Sequence, residues 1–170
     1  MNTMRAVRVE SCGGPEQMSV QVVPRPEPGP GEIRIRLSAC GINLIDTYHR
    51  SGLYPLSMPT GLGCEGAGIV EVVGDGVDDL IVGDRVGFAM AMGAYAEAIV
   101  LARGAVVKIP EGVTDEEVAA GLLKAMTVDY LFNDTFALSG GETVLFHAAA
   151  GGVGLIACQW AKTIGVRLIG

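Results

Sequence analysis

The sequence has few of the features that suit nucleic-acid binding, secretion or membrane insertion. It carries 19 acidic and 12 Lys or Arg residues among 170, for a formal net charge of −7. Because phosphate binding needs a basic face, this balance argues against a nucleic-acid partner. No apolar stretch reaches the roughly 20 residues that cross a bilayer, and the first residues, MNTMRAV, lack the apolar segment of a secretory signal. We therefore expect a cytoplasmic protein without a nucleic-acid or membrane partner.

Cysteine is also scarce and widely spaced. Cys12, Cys40, Cys64 and Cys158 contain no C-x-x-C pair, so a disulfide framework is not expected. The sequence does have 49% hydrophobic residues, 18% charged residues and 25 glycines. This composition is typical of a packed globular enzyme and not of a disordered chain.

Many short strand patterns, separated by glycine and proline, occupy the first hundred or so residues. In one of them Ile33, Ile35 and Leu37 alternate with the charged residues Glu32, Arg34 and Arg36, as in a strand with one buried face. Further strands are predicted at residues 6–9, 19–23, 68–73, 85–89, 94–101 and 105–109. Strands this short and this closely spaced indicate a β-barrel.

Before residue 143, helices are expected at three places. The first covers residues 43–50 and ends at Gly52. Thr114 and Glu117 form a capping box that opens a second helix, which runs to about residue 123. A third, over residues 126–138, repeats apolar side chains at helical spacing.

From residue 143 onward, a strand, a glycine-rich turn, a helix and a second strand follow one another. The apolar runs 143–147 and 166–169 predict buried parallel strands. The turn places Ala149, Gly151 and Gly154 at the positions of the G-x-G-x-x-G pattern. Small residues let the backbone approach a pyrophosphate, and the helix N-terminus offers unpaired N–H groups. The first glycine is replaced, but the strand–turn–helix context is present, so we predict dinucleotide binding.

Several motifs together resemble one enzyme family. They are GINLIDTY at residues 41–48, SGLYP at 51–55, GLGCEGAG at 61–68, GDRV at 83–86 and FHAAAGGVGLIACQ at 146–159. These segments are similar to those of the NADPH:quinone reductases, the zeta-crystallin-like branch of the medium-chain dehydrogenase/reductase superfamily. The similarity extends over the whole chain.

The resemblance implies a mixed α and β fold. A GroES-like β-barrel catalytic domain over residues 1–123 would precede the start of a Rossmann dinucleotide-binding domain over residues 124–170, incomplete at its C-terminus. The active cleft would lie between the two domains, and the full-length family would form homodimers. The implied cofactor is NADPH. The residues expected to contact it are Asn43, Leu44, Ile45, Asp46, Thr47, Tyr48, Lys124, Thr127, Gly151, Gly152 and Val153.

Some of these residues have a structural alternative. Leu44 and Ile45 could belong to the core of the barrel. Tyr48 and Tyr54, the two candidate catalytic residues, could instead pack with their hydroxyl groups at the surface. Both interpretations stay open on the sequence alone.

No zinc site is expected. Zinc-dependent relatives use a cysteine at the position that Asn43 occupies here, and a Gly-His-Glu histidine where this chain has Cys64. Cys64 and Glu65 alone do not supply the three protein ligands of a catalytic zinc site.

We therefore expect a zinc-free enzyme that reduces quinones with NADPH. A quinone is already electron-poor, so proximity and orientation in a dry cleft would be the main contribution of the protein. Tyr48 or Tyr54 could donate a hydrogen bond to the developing quinolate oxygen. Two alternatives are reduction of an enone or enoyl thioester, and a truncated, non-catalytic fragment with weak cofactor binding. The fragment interpretation arises because the residue that reads the adenine ribose should follow Gly170.

Overall fold

The computed structural model describes residues 2–170 and has a mixed α and β fold. The chain divides into two compact units, residues 1–120 and residues 121–170. No helix among the described residues is long and apolar enough to cross a membrane.

The first unit contains two antiparallel sheets. A three-stranded sheet has the order β2-β1-β4, in which β1 is Thr3–Val9, β2 is Met18–Pro24 and β4 is Thr60–Gly61. A curled five-stranded sheet has the order β7-β3-β5-β6-β8. Its strands are β3 (Glu32–Cys40), β5 (Glu65–Val73), β6 (Arg85–Ala89), β7 (Ala98–Ala102) and β8 (Val106–Lys108).

The strand predictions for the first unit are largely confirmed, although β4 was not predicted. In the segment predicted as a strand at residues 94–101, the strand begins only at Ala98. Before it, Ala96 makes an isolated bridge to Ala6. In β3 the apolar Ile33 and Ile35 are fully buried as expected. Arg34, expected to face solvent, is buried too, because its guanidinium group bonds Glu71 and Glu27.

The core of the first unit lies against the five-stranded sheet. Its side chains are fully or almost fully buried. They include Ile33, Ile35, Val70, Leu80, Val86, Phe88, Ala94 and Val106. Alternation along β3, β5 and β6 sends the side chains that these three strands contribute to one face. This part of the predicted barrel is therefore a curled sheet that carries its buried apolar side chains on one face.

The first helix, α1, spans Leu44–Ser51. Asn43 is its N-cap, and Gly52 ends it in the left-handed conformation with φ of 83°. Leu44 is 68% exposed, so the alternative that it belongs to the core is wrong, whereas Ile45 is half-buried. Asp46 is the buried residue of this helix, which means that polar contacts hold α1 to the rest of the unit.

The second helix, α2, spans Asp115–Asp129 and continues as a π-helix over Tyr130–Thr135. The capping box is confirmed, because Glu117 N–H donates to Thr114 Oγ1 and Thr114 N–H donates to Glu117 Oε2. The prediction that this helix ends near residue 123 is wrong. Residues 124–126 are Lys, Ala and Met, which have high helix propensity, and neither glycine nor proline interrupts the helix there.

The second unit contains β9 (Thr143–Leu145), α3 (Gly152–Thr163) and β10 (Arg167–Ile169). The two strands pair in parallel. Val128, Phe132, Ala157, Ala161 and Val166 form the buried cluster of this unit.

The expectation that β9 is buried is only half right. Val144 packs against the apolar cluster, whereas Leu145 is 66% exposed. Successive side chains of a strand point to opposite faces, so only one face of this two-stranded sheet meets the helices.

Candidate functional site

The start of α1 is held by side-chain hydrogen bonds. Asn43 N–H donates to Asp46 Oδ2 at 2.8 Å, and the Asn43 side chain caps the helix in return. Asn43 Nδ2 also donates to Glu65 Oε2 at 2.9 Å. Because Glu65 is fully buried, this hydrogen bond to a carboxylate stabilises a group that would otherwise be costly to bury.

A second polar contact reaches α1 from a distant segment. Tyr95 donates its hydroxyl proton to Asp46 Oδ2 at 2.7 Å. Burial of the phenol raises the pKa of Tyr95, and its hydrogen bond to Asp46 raises the pKa further. The Tyr95 hydroxyl therefore stays protonated and keeps donating to the carboxylate far above neutral pH.

Tyr48 and Tyr54 form an aromatic pair beside α1. Their ring centroids lie 5.3 Å apart in an edge-to-face arrangement with an interplanar angle of 64°, and Tyr54 N–H donates to Tyr48 O at 3.1 Å. Tyr54 is 48% exposed. Nearby in sequence, Ile42 and Leu44 are also largely exposed, so this end of the unit presents an apolar and aromatic surface.

Asn43 and Cys64 occupy the positions that hold zinc ligands in zinc-dependent relatives, and their surroundings differ from those of a metal site. Cys64 is buried, Glu65 accepts from an amide, and Asn43 offers an amide in place of a thiolate. Among residues 2–170, no group of three or more His, Cys, Asp or Glu side chains is arranged to hold a metal ion.

The glycine-rich turn of the second unit is tightly packed at one position and open at others. A Cβ atom on Gly154 would collide with Ala149 Cα and would lie 2.5 Å from Ala148 O. Gly151 and Gly152 are exposed. Ala148 adopts φ of 55°, and its carbonyl accepts from Gly151 N–H at 2.8 Å. The backbone thus turns sharply between β9 and α3.

The N-terminus of α3 begins at this turn. Gly151 is the N-cap and, in the described part of the chain, no side chain caps it. The first N–H groups of an α-helix have no intrahelical partner, and together with the helix dipole they favour an anion. The start of α3 is thus a helix N-terminus with two exposed glycines and no side-chain cap among the described residues.

Lys124 and Thr127, the two residues of α2 that were expected to contact the cofactor, have different surroundings. The Lys124 stem is close to the turn, since a Cβ atom on Gly152 would lie 3.0 Å from Lys124 Cε. Thr127 Oγ1 donates to Leu123 O at 2.8 Å, so its hydroxyl is bonded to its own helix. Val153 packs against the apolar cluster with part of its surface exposed.

The predicted site residues fall into two sets. Residues 43–48 and Tyr54 belong to the first unit, and Lys124, Thr127 and residues 151–153 belong to the second. The contacts of Glu65 with Asn43 and of Tyr95 with Asp46 were not predicted from the sequence. Tyr95 is 49 residues from its partner and lies among small residues, so no local pattern indicates its role.

Comparison with known proteins relates these features to one group. Residues 29–111 match the alcohol dehydrogenase GroES-like domain. A quinone oxidoreductase of Pseudomonas aeruginosa is 53% identical over 168 residues, which cover 98% of this chain and 52% of that protein. A 2-haloacrylate reductase of a Burkholderia species is 39% identical over 172 residues, covering 97% of this chain and 52% of that protein.

A solved structure agrees with the sequence comparison. The crystal structure of Escherichia coli quinone oxidoreductase complexed with NADPH superposes with a TM-score of 0.95 at 46% identity, covering 98% of this chain and 52% of that one. The chain spans about half the length of the relatives it matches. By sequence and by fold, it is homologous to the quinone oxidoreductases of the medium-chain dehydrogenase/reductase superfamily over about half of their length.

Proposed function

We propose that this chain supplies the nicotinamide- and pyrophosphate-binding surfaces of a zinc-free, NADPH-dependent oxidoreductase that reduces quinones. The observation that carries the proposal is the turn from Ala148 to Gly154, where an uncapped helix N-terminus follows a strand and a glycine permits close packing. The NADPH complex of the Escherichia coli relative supports the same cofactor.

The turn fits a pyrophosphate in both shape and charge. Gly151 and Gly152 are exposed, and neither places a side chain over the start of α3. Lys124 lies beside Gly152 and would add a positive charge near the phosphate oxygens. Gly154 contributes indirectly, because it holds α3 against the end of β9.

The surface at α1 would receive the nicotinamide end of the cofactor. Asn43 to Tyr48 would form its border, and Tyr54 would cover one side through its contact with Tyr48. When bound, NADPH would supply a hydride to the acceptor. The protein would hold the acceptor in line and exclude water, and these effects lower the barrier by orientation.

Tyr48 and Tyr54 are the proposed hydrogen-bond donors to the acceptor oxygen. Tyr54 is half exposed and its ring is fixed against Tyr48 by an edge contact. A phenol in this position would stabilise the negative charge that develops on a quinone oxygen. If Tyr54→Phe left kcat/KM for quinones unchanged, Tyr54 would have no such part.

The zinc-free character of the proposed reaction is supported by the residues at the compared positions. A catalytic zinc site needs three protein ligands of suitable charge. Here the Asn43 amide is engaged with Glu65, and an amide nitrogen does not replace a thiolate. A quinone needs no Lewis acid, because its ring already accepts electrons.

A second candidate is reduction of an activated alkene. The observation that favours it is the 39% identity with a 2-haloacrylate reductase, whose name describes a substrate with a conjugated carbon–carbon double bond. Enones and enoyl thioesters belong to the same chemical class. The surface at α1 suits either acceptor, since both need a hydride and one hydrogen bond at a carbonyl oxygen.

An activity comparison separates these candidates. The purified chain is incubated with NADPH and 1,4-benzoquinone, 2-chloroacrylate or a crotonyl thioester, and the loss of NADPH absorbance is followed. Faster oxidation with the quinone supports the first proposal, and faster oxidation with either alkene supports the second. Saturable NADPH binding without oxidation by any acceptor would support the non-catalytic interpretation and contradict both.

A further inference from the structure

Two backbone hydrogen bonds hold Tyr95 to other segments of the first unit. Its N–H donates to Leu62 O at 2.9 Å, and its carbonyl accepts from Val7 N–H at 2.8 Å. The ring packs on Gly63, where an added Cβ atom would lie 2.5 Å from Tyr95 Cδ1. Gly63 also has φ of 85°. The ring therefore occupies a position that a larger residue at 63 would not permit.

The Tyr95 hydroxyl connects this segment to the start of α1. One oxygen, Asp46 Oδ2, accepts both from the Tyr95 hydroxyl at 2.7 Å and from Asn43 N–H at 2.8 Å. Asn43 in turn donates its side-chain amide to Glu65. A continuous set of hydrogen bonds thus runs from Tyr95, through Asp46 and Asn43, to the buried carboxylate of Glu65.

Apolar packing holds α1 only in part, since Ile45 and Tyr48 are half-buried and no apolar residue of the helix is fully buried. The helix has eight residues, and Asp46 is its buried one. Leu44 points into solvent over most of its surface. Short helices are not stable by propensity alone, so the orientation of α1 depends on these polar contacts.

We propose that Tyr95 is a positioning residue for the nicotinamide end of the cofactor. It acts through Asp46, which orients Asn43 and the first turn of α1. Removal of its hydroxyl leaves the fold intact but loosens residues 43–48. This role rests on the proposed function for its effect on NADPH, but the loosening of α1 is measurable without any cofactor.

The first test uses the Tyr95→Phe variant of the whole chain, labelled with ¹⁵N. We expect chemical-shift changes concentrated at the Asn43 amides and in α1, and amide hydrogen exchange in α1 about 2- to 10-fold faster. Exchange in β3 and β5 should not change. Tyr130→Phe is the matched control, because Tyr130 is half exposed in the other unit.

Asp46→Asn provides an independent variant of the same contact. An amide oxygen accepts less strongly than a carboxylate, so exchange in α1 should also become faster. Tyr95→Phe should have less effect in the Asp46→Asn background than alone, because the two changes share the hydrogen bond between Tyr95 and Asp46. Unchanged α1 exchange in both single variants would overturn the proposal, as would a loss of protection spread evenly over the first unit.

The second test separates the two halves of the cofactor. Tyr95→Phe should weaken NADPH binding about 2- to 10-fold and should leave unchanged the binding of ADP-ribose, a ligand that has the pyrophosphate but lacks the nicotinamide. Equal weakening of both ligands would contradict a role at the nicotinamide end. If the unaltered chain binds neither ligand, the proposed function fails, and the exchange measurement alone decides the effect of Tyr95 on α1.

Discussion

Gly154 and Ala149 approach each other so closely that a Cβ atom on Gly154 would collide with the Ala149 backbone. We predict that Gly154→Ala destabilises the second unit by about 1–3 kcal/mol, since overpacking forces the backbone to shift. The measurement is urea unfolding followed by the fluorescence of Trp160, which packs in this unit.

Gly121→Ala is the matched control for this prediction. Gly121 lies within α2, has an ordinary helical conformation and would have no neighbour within 4 Å of an added Cβ atom. Alanine is favoured over glycine in a helix by about 0.5–1 kcal/mol, so this variant should be more stable than the parent. Equal effects of the two substitutions would show that the close approach at Gly154 has no energetic consequence.

Asn43 combines a helix cap with a hydrogen bond to buried Glu65. We predict that Asn43→Ala lowers the free energy of unfolding by about 2 kcal/mol and Asn43→Ser by about half as much. Serine keeps a capping oxygen, whereas alanine loses both interactions. Chemical denaturation of the three proteins checks the order. A serine variant no more stable than the alanine variant would show that the cap contributes nothing.

Tyr95 gives the chain a dependence on alkaline pH. Burial and the hydrogen bond to Asp46 raise the pKa of Tyr95 above the ordinary value of 10.0. Because the pKa is higher in the folded state, this contribution to stability is fully present below pH 10. It is then lost as the pH rises toward the folded-state value.

The difference in unfolding free energy between the parent and Tyr95→Phe should therefore shrink as the pH rises above 10.0. Urea unfolding of both proteins at pH values on either side of this point measures it. Tyrosinate absorbance gives a second check, since Tyr95 should not ionise near pH 10 while the chain is folded. A constant difference across this range would contradict the assigned environment of the phenol.

The capping box at Thr114 makes the start of α2 sensitive to acid. Hydrogen bonds from the Thr114 N–H, and then from its hydroxyl, lower the pKa of Glu117 below the ordinary value of 4.5. Its stabilising effect is present above that value and is lost as the pH falls through the folded-state pKa.

We predict that Thr114→Ala destabilises the chain by about 1 kcal/mol at neutral pH. The effect should diminish in acid, where protonated Glu117 no longer accepts as strongly. Urea unfolding at neutral and acidic pH measures both values, with Glu116→Ala as a control for loss of a nearby acidic residue. An effect of Thr114→Ala that is independent of pH would argue against the reciprocal contact.

Local sequence patterns were sufficient for the elements that depend on neighbouring residues. The end of α1 at Gly52 and the capping box of Thr114 with Glu117 each involve residues a few positions apart. The apolar face of α3 likewise follows from helical spacing, since Ala157 and Ala161 lie four residues apart and are both buried.

Features that depend on distant contacts were not predictable in the same way. Arg34 looked solvent-facing because its partner Glu71 is 37 residues away. The exposure of Leu145 depends on which sheet face meets the helices, and the contact of Tyr95 with Asp46 depends on the course of the chain through β4 to β7. Alternation and spacing carry no information about such contacts.

The most direct test of the account is a fluorescence titration of the chain with NADPH. We predict saturable binding that Gly152→Asp weakens at least about 10-fold, because a carboxylate at the start of α3 repels phosphate and opposes the helix dipole. Gln159→Asp, which adds the same charge about 10 Å along the exposed face of α3, should change the affinity much less. Binding that is absent in the parent chain, or that both variants weaken equally, would contradict the assignment of this turn as the pyrophosphate site.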